Sequence, residues 1–211
     1  MNRIEKTRAY LDALFNNSEH LKTSLYDKSY RYEHTLRVAS WGKRIAQHEN
    51  INEEALVIGC LLHDVAYIEK LDTKEKQIGH GRRSASIVRD FVHGLGFDPD
   101  TTQSILYGIA THVDGKADFE GESTILSESI SDADNLDRFD VYRIYETLIF
   151  ADFSNLSLED KLTYCTKRIE ATQNNMAHEL ATHYATSIFR EELSYMQTFF
   201  EKMLIQLKES R

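Results

Sequence analysis

The sequence has one proline, Pro99, and nine glycines in 211 residues, too little of either for a linker. No Gly/Ser-rich or Pro-rich stretch divides it, so a single domain over residues 1–211 is expected. Cysteine is scarce too. Cys60 and Cys165 stand far apart without metal-type spacing, which excludes a disulfide framework and suits a reducing compartment. The longest uncharged apolar run, Ala55–Leu62, has eight residues, less than half of the roughly 20 that span a bilayer. The first eight residues alternate charges where a secretion signal would carry its apolar stretch. A cytoplasmic protein without membrane attachment is therefore expected. Basic residues are in deficit, with 25 Lys and Arg against 34 Asp and Glu, for a net charge of -9. With no basic tail or face, long nucleic acid is disfavoured as a partner. A small anion stays compatible if something local and positive receives it.

What the chain does have is helical patterning. Arg31 to His48 carries His34, Val38, Trp41 and Ile45 at spacings of four, three and four, one helical face. Asn52 suits an N-cap for the next segment, with Ala55, Gly59, Leu62, His63 and Ala66 on one side. A polar loop is predicted over 70–79, a helix over 81–92, and a helix capped by Asp100 or Thr101 that bears Ile105, Ile109 and His112. After a second polar loop, 114–121, Ser123 opens a helix with Leu126, Ile130, Ala133, Asp134 and Asp137 on one side. Three more helices are predicted around 140–153, 157–176 and 179–208, the last striped by Tyr184, Ile188, Tyr195, Phe199 and Met203. With no alternating β-branched runs, the fold class is all-α.

Several inward stripes end in metal-ligand chemistry rather than in apolar side chains. The segment Gly59-Cys-Leu-Leu-His63-Asp64-Val-Ala66 puts an imidazole and a carboxylate directly after an apolar run. A buried carboxylate costs several kcal/mol unless it is paired or coordinates a metal. Adjacent helical residues point about 100° apart, so both side chains can converge on one ion. Asp134 poses the same problem between Ala133 and Leu136, and His34 would complete two imidazoles and two carboxylates. That set suits a borderline divalent cation, Mn, Fe, Zn, Ni, Co or Mg. With no cysteine in the set it is not a zinc finger. Such an ion acidifies bound water, polarises a phosphoryl oxygen and supplies the positive centre an acidic protein needs to bind an anion.

The order His34, His63-Asp64, Asp134 resembles the signature of the HD-domain superfamily of metal-dependent phosphohydrolases. The flanks Glu33-His-Thr-Leu-Arg-Val-Ala39, Leu61-Leu-His-Asp-Val-Ala66 and Asp132-Ala-Asp134-Asn-Leu-Asp137 are similar to it as well. The resemblance covers about residues 30–140, with helices over 141–211 outside it. It implies a compact helical bundle with the metal held between helices by His34, His63, Asp64 and Asp134. It also implies hydrolysis of a phosphoester or phosphoanhydride, often in a nucleotide, by attack of metal-activated water on phosphorus. Asp64 is the residue on which turnover would depend. Some branches place histidines in the order of His80 and His112 to hold a second metal or to meet substrate phosphate, so one or two ions per chain are expected. The segments most resemble small stand-alone bacterial HD hydrolases. Where some nucleotidase branches carry a catalytic Glu, and the cyclic-dinucleotide branch a Lys, this chain has Tyr67. The acid/base candidates are then Glu33, Glu69, Asp137, His80 and His112.

Phosphate-binding help is expected from Arg82 and Arg83 at a helix start, from Lys116 in the 114–121 loop, and from Arg37 one turn after His34. The substrate read from these features is a nucleotide or another small phosphorylated metabolite. The C-terminal stripe is suited to packing or to a homodimer seam. Two competing classes are a di-iron oxygenase using all six ligand-type residues, and a regulatory module in which the metal is structural.

Overall fold

A computed structural model describes residues 1–210, the side chains of Leu25 and Tyr26 excepted. Helices and turns account for all regular structure among the described residues, with no strand, so the chain is all-α. It divides into two units, Met1–Asp134 and Asn135–Arg211.

In the first unit the elements are α1 (Arg3–Asn17), α2 (Glu19–Lys22), α3 (Leu25–Glu49), α4 (Glu53–Leu62), a 3-10 turn (Val65–Ile68), α5 (Lys74–Ile78), α6 (His80–His93) and α7 (Pro99–Thr111). The division then falls within α8 (Ile125–Phe139). The centre is α4. Its residues from Ala55 to Leu62 are all buried, and it packs against α3, α1 and α7. Burying a side chain such as Leu56, Ile58, Leu61 or Leu62 is worth about 1.5–3 kcal/mol each, so this helix fixes the frame around it. Asn52 caps α4 as predicted, accepting from Ala55 N at 3.1 Å. The cap of α7 differs from the prediction. Asp98, not Asp100 or Thr101, accepts from Thr101 N at 2.8 Å, because Pro99 has a preset φ and no N–H to lose and takes the first helical position. Where residues 70–79 were expected to be a loop, Thr73 caps the short helix α5. Gly108 lets α7 meet α8 closely, since a Cβ there would lie 2.6 Å from the Ser127 carbonyl oxygen.

The second unit holds α9 (Val141–Phe150), a 3-10 turn (Phe153–Asn155), α10 (Leu158–Asn175) and α11 (His183–Lys208). Ile144, Cys165, Met196 and Phe200 form its core. The buried side of α11 is Ala185, Phe189, Leu193, Met196 and Phe200, one position round from the predicted stripe. Tyr195 of that stripe is exposed and Phe199 and Met203 pack only along the edge of the core. The helix carries two adjacent apolar stripes, and tertiary packing buries the one that contains Ala185. Both cysteines are buried and free. No described helix is long and apolar enough to cross a membrane.

Candidate metal centre

The His63-Asp64 pair lies where α4 stops, not inside a helix as predicted. His63 keeps helical angles, while Asp64 turns to φ −108°, ψ 14° and opens the 3-10 turn. This bridge conformation is sparsely populated and recurs at active sites. The chain thus delivers both side chains into one space at the end of its most buried helix. α3 brings His34 to it, α8 brings Asp134, the first turn of α6 brings His80, and the C-terminal cap position of α7 brings His112.

All six residues meet. His34 Nε2 is 3.2 Å from Asp134 Oδ1 and 3.6 Å from Asp64 Oδ2. His63 Nε2 is 3.7 Å from Asp64 Oδ2 and 3.9 Å from Asp134 Oδ1. On the other side of the Asp64 carboxylate, Oδ1 faces His80 Nε2 at 2.9 Å and His112 Nε2 at 3.5 Å. Ligand atoms of His34, His63 and Asp134, and of His63, Asp64 and His112, lie within 4.8 Å of one another. Donors about 2.1 Å from a common ion at octahedral to tetrahedral angles would be about 3.0–3.4 Å apart, so small adjustments would close the set. Asp64 offers one oxygen to each half.

The backbone fixes the direction of three of these rings. Nδ1 of His63, His80 and His112 lies 2.7, 2.6 and 2.8 Å from the carbonyl oxygens of Cys60, Gln77 and Ile109, in each case three residues earlier. A carbonyl only accepts, so Nδ1 carries the proton and donates, and Nε2 turns a lone pair inward. The buried His63 Nε2 and Asp64 Oδ1 consequently have no hydrogen-bond partner, although His80 Nε2 is near the latter. His80 and His112 also bring their Nε2 atoms within 3.2 Å. Acceptors held face to face repel unless a cation, a proton or a metal ion, lies among them. This donor set fits a divalent ion.

The charge states agree. Burial pulls His63 down to about 4, and the nearby Asp64 offsets this only in part. Burial alone would raise Asp64, but His63 and the contacts from His112 and His80 hold it well below the usual carboxylate range. Asp134 is likewise held low against its burial, chiefly by His34. Burial would lower His112, but the Asp64 carboxylate outweighs it and leaves the ring raised.

Of the expected phosphate contacts, Arg82 places Nη1 2.7 Å from both carboxylate oxygens of Asp114. Arg83 makes a two-point pair with Glu69 at 2.9 and 2.5 Å. Lys116 is exposed in its loop and Arg37 is half-buried on α3. Among the acid/base candidates Glu33 is exposed, Glu69 is held by Arg83, and Asp137 is buried. The basic side chain found at the cluster is one that sequence reasoning passed over. Arg31 Nη1 is 3.5 Å from Asp64 Oδ2, and its guanidinium lies 3.3 Å from the centroid of the Tyr67 ring. Its spacing of three before His34, on one helical face, was the available signal.

A family model described as HD domain matches residues 31–138, more than half of the chain. The chain belongs to the HD domain family. The match ends just past Asp134 and begins at Arg31, so it encloses the six gathered residues. Two solved structures share this HD fold. One is an HD-superfamily hydrolase from Bacillus thuringiensis, 18% identical, with a TM-score of 0.66 over 97% of this chain and 96% of that one. The other is described as a predicted HD superfamily hydrolase from an uncultured Thermotogales bacterium, 18% identical, with a TM-score of 0.62 over 93% and 92%. No curated protein matches.

The close approach of α6 and α7 sets the His80–His112 distance. A Cβ at Gly81 would lie 2.7 Å from Ala110 O, 2.9 Å from Ile109 O and 3.1 Å from His112 Nδ1. Two of these are backbone atoms, and Ile109 O is the acceptor that orients His112. Gly81→Ala is expected to cost about 1–3 kcal/mol, a fall of several degrees in Tm, and to weaken metal binding. Thermal denaturation and metal titration check this, and wild-type values in both would contradict it.

Proposed function

We propose that this HD domain protein is a metal-dependent phosphohydrolase acting on a nucleotide or another small phosphorylated metabolite. The observation that carries the reading is the inward convergence of unprotonated imidazole nitrogens and low-pKa carboxylates, with two buried acceptors lacking partners. His34, His63, Asp64 and Asp134 would hold one divalent ion, and His80 and His112, sharing Asp64, would hold a second or meet the substrate phosphate. An ion bound there supplies a water of lowered pKa and polarises a phosphoryl oxygen. The chain does the rest. The Cys60, Gln77 and Ile109 carbonyls lock the rings of His63, His80 and His112, and Asp64 and Asp134 stay ionised through the neutral range. His112, whose pKa is raised against its burial by the Asp64 carboxylate, would hand a proton to a departing oxygen where no second ion displaces it. The related HD folds described as hydrolases support this class of activity.

The test is metal analysis of protein purified without chelators, followed by phosphate release from a panel of nucleotides, sugar phosphates and pyrophosphate esters. One or two ions per chain with turnover of at least one compound is expected. A stably bound metal with no turnover across the panel would favour the regulatory module. Iron with oxygen uptake would favour the oxygenase.

A further inference from the structure

A cavity of about 490 Å³ opens beside the cluster, and two of its walls are also walls of the candidate centre. Arg31 lines it and reaches Asp64. Tyr67 lines it and stands with its ring 5.0 Å from that of His80. The rest of the lining sets Lys70 and Gln77 beside three carboxylates, Asp27, Glu69 and Asp72, the last two paired with Arg83 and Lys76. The cavity is of the size that takes small ligands, and it shares Arg31 and Tyr67 with the cluster.

Arg31 is held there in an unusual way. Its guanidinium carbon lies 3.3 Å from the Tyr67 ring centroid and 5.3 Å from that of Tyr30, while its contact with Asp64 is a long, single-atom one at 3.5 Å. A two-point arginine–carboxylate pair, such as Arg83 with Glu69, spends its donors on its partner. Arg31 makes no two-point pair with Asp64: beside that single-atom contact it hydrogen-bonds the Tyr67 side chain, whose ring also lies against the guanidinium. An ion bound at Asp64 would claim that carboxylate and leave the Arg31 charge to an incoming anion. Arg82 and Arg83, by contrast, have carboxylate partners at short range.

We propose that Arg31, braced on Tyr67, meets a phosphate oxygen of the substrate, and that the cavity beyond it takes the group the phosphate bears. The proposal rests on the phosphohydrolase reading, with Tyr67 as a positioning residue. Inorganic phosphate and pyrophosphate are titrated by calorimetry into the metal-loaded protein and its variants, with metal content and thermal stability measured on each. Arg31→Ala is expected to weaken both anions at least about tenfold, the loss of a hydrogen-bonded charge contact, with metal content unchanged. Arg31→Lys restores the charge without the planar fork and falls between. Tyr67→Phe keeps the ring but loses the hydroxyl's contact with Arg31, so it lies between wild type and Tyr67→Leu. Tyr67→Leu removes the ring and approaches Arg31→Lys. Equal anion affinity in Arg31→Ala and wild type would overturn the proposal, as would a loaded wild type that binds neither anion. Failure of the underlying reading has another signature, metal and anion binding in the wild type with no phosphate released from any ester or anhydride.

Discussion

Asp64→Ala is expected to strip the metal from the protein and to reduce phosphate release to background. Its two oxygens face different partners, Oδ2 toward His34 and His63 and Oδ1 toward His80 and His112, so its carboxylate offers one oxygen to each half. Removing it deletes one ligand outright and leaves the imidazoles without the charge that balances a cation among them. The helices should persist, since α4 is held by its eight buried residues from Ala55 to Leu62 and Asp64 lies beyond its end. Far-UV circular dichroism, metal content after desalting and turnover form the check. Full metal content with full activity would contradict the assignment. Asp134→Ala acts chiefly on the half containing His34 and His63, so it should lower metal affinity while the contacts of Asp64 with His80 and His112 remain.

Metal affinity is expected to fall steeply as the solution is acidified from about pH 8 to pH 5.5, and the slope identifies the groups responsible. A proton and a metal ion compete for the same Nε2 lone pair. His63 is pushed down to about 4, so it is already neutral through this range and contributes no slope. Asp64 and Asp134 are held below the usual carboxylate range and are ionised throughout, so they contribute none either. His112 is raised. It binds a proton in the metal-free protein up to and beyond its ordinary value of about 6.5, and an ion at that half must displace it. Affinity should therefore drop by up to tenfold per pH unit below the His112 pKa, with up to one proton released per ion bound there. Calorimetry in buffers of different ionisation enthalpy counts that proton. His112→Asn should flatten the profile, and a flat wild-type profile to pH 4.5 would contradict competition between the ion and a proton on His112.

The helical class was legible because the apolar periodicity is helical nearly everywhere, and the order His34, His63-Asp64, Asp134 with its flanks pointed to the family that the 31–138 match identifies. What was not legible came from interactions that local sequence does not encode. Whether Arg82 and Arg83 are free for phosphate depends on Asp114 and Glu69, which lie 32 and 14 residues away. The carbonyls that orient His63, His80 and His112 belong to Cys60, Gln77 and Ile109, and any side chain could stand at those positions. On α11 the periodicity showed an apolar stripe but could not choose between two adjacent ones, because that choice is made by packing. The exit from helix at Asp64 has no proline or glycine to mark it. The turn aims the Asp64 carboxylate at four imidazoles, three of them from other elements, and those partners are distant in sequence.

The most direct measurement is anomalous diffraction at the absorption edge of a transition metal bound by the intact protein. The account predicts a peak about 2.0–2.3 Å from the Nε2 atoms of His34 and His63 and from carboxylate oxygens of Asp64 and Asp134, with any second peak against His80, His112 and the other oxygen of Asp64. Crystals grown with saturating metal that show no peak among these side chains, or a peak elsewhere, would contradict it.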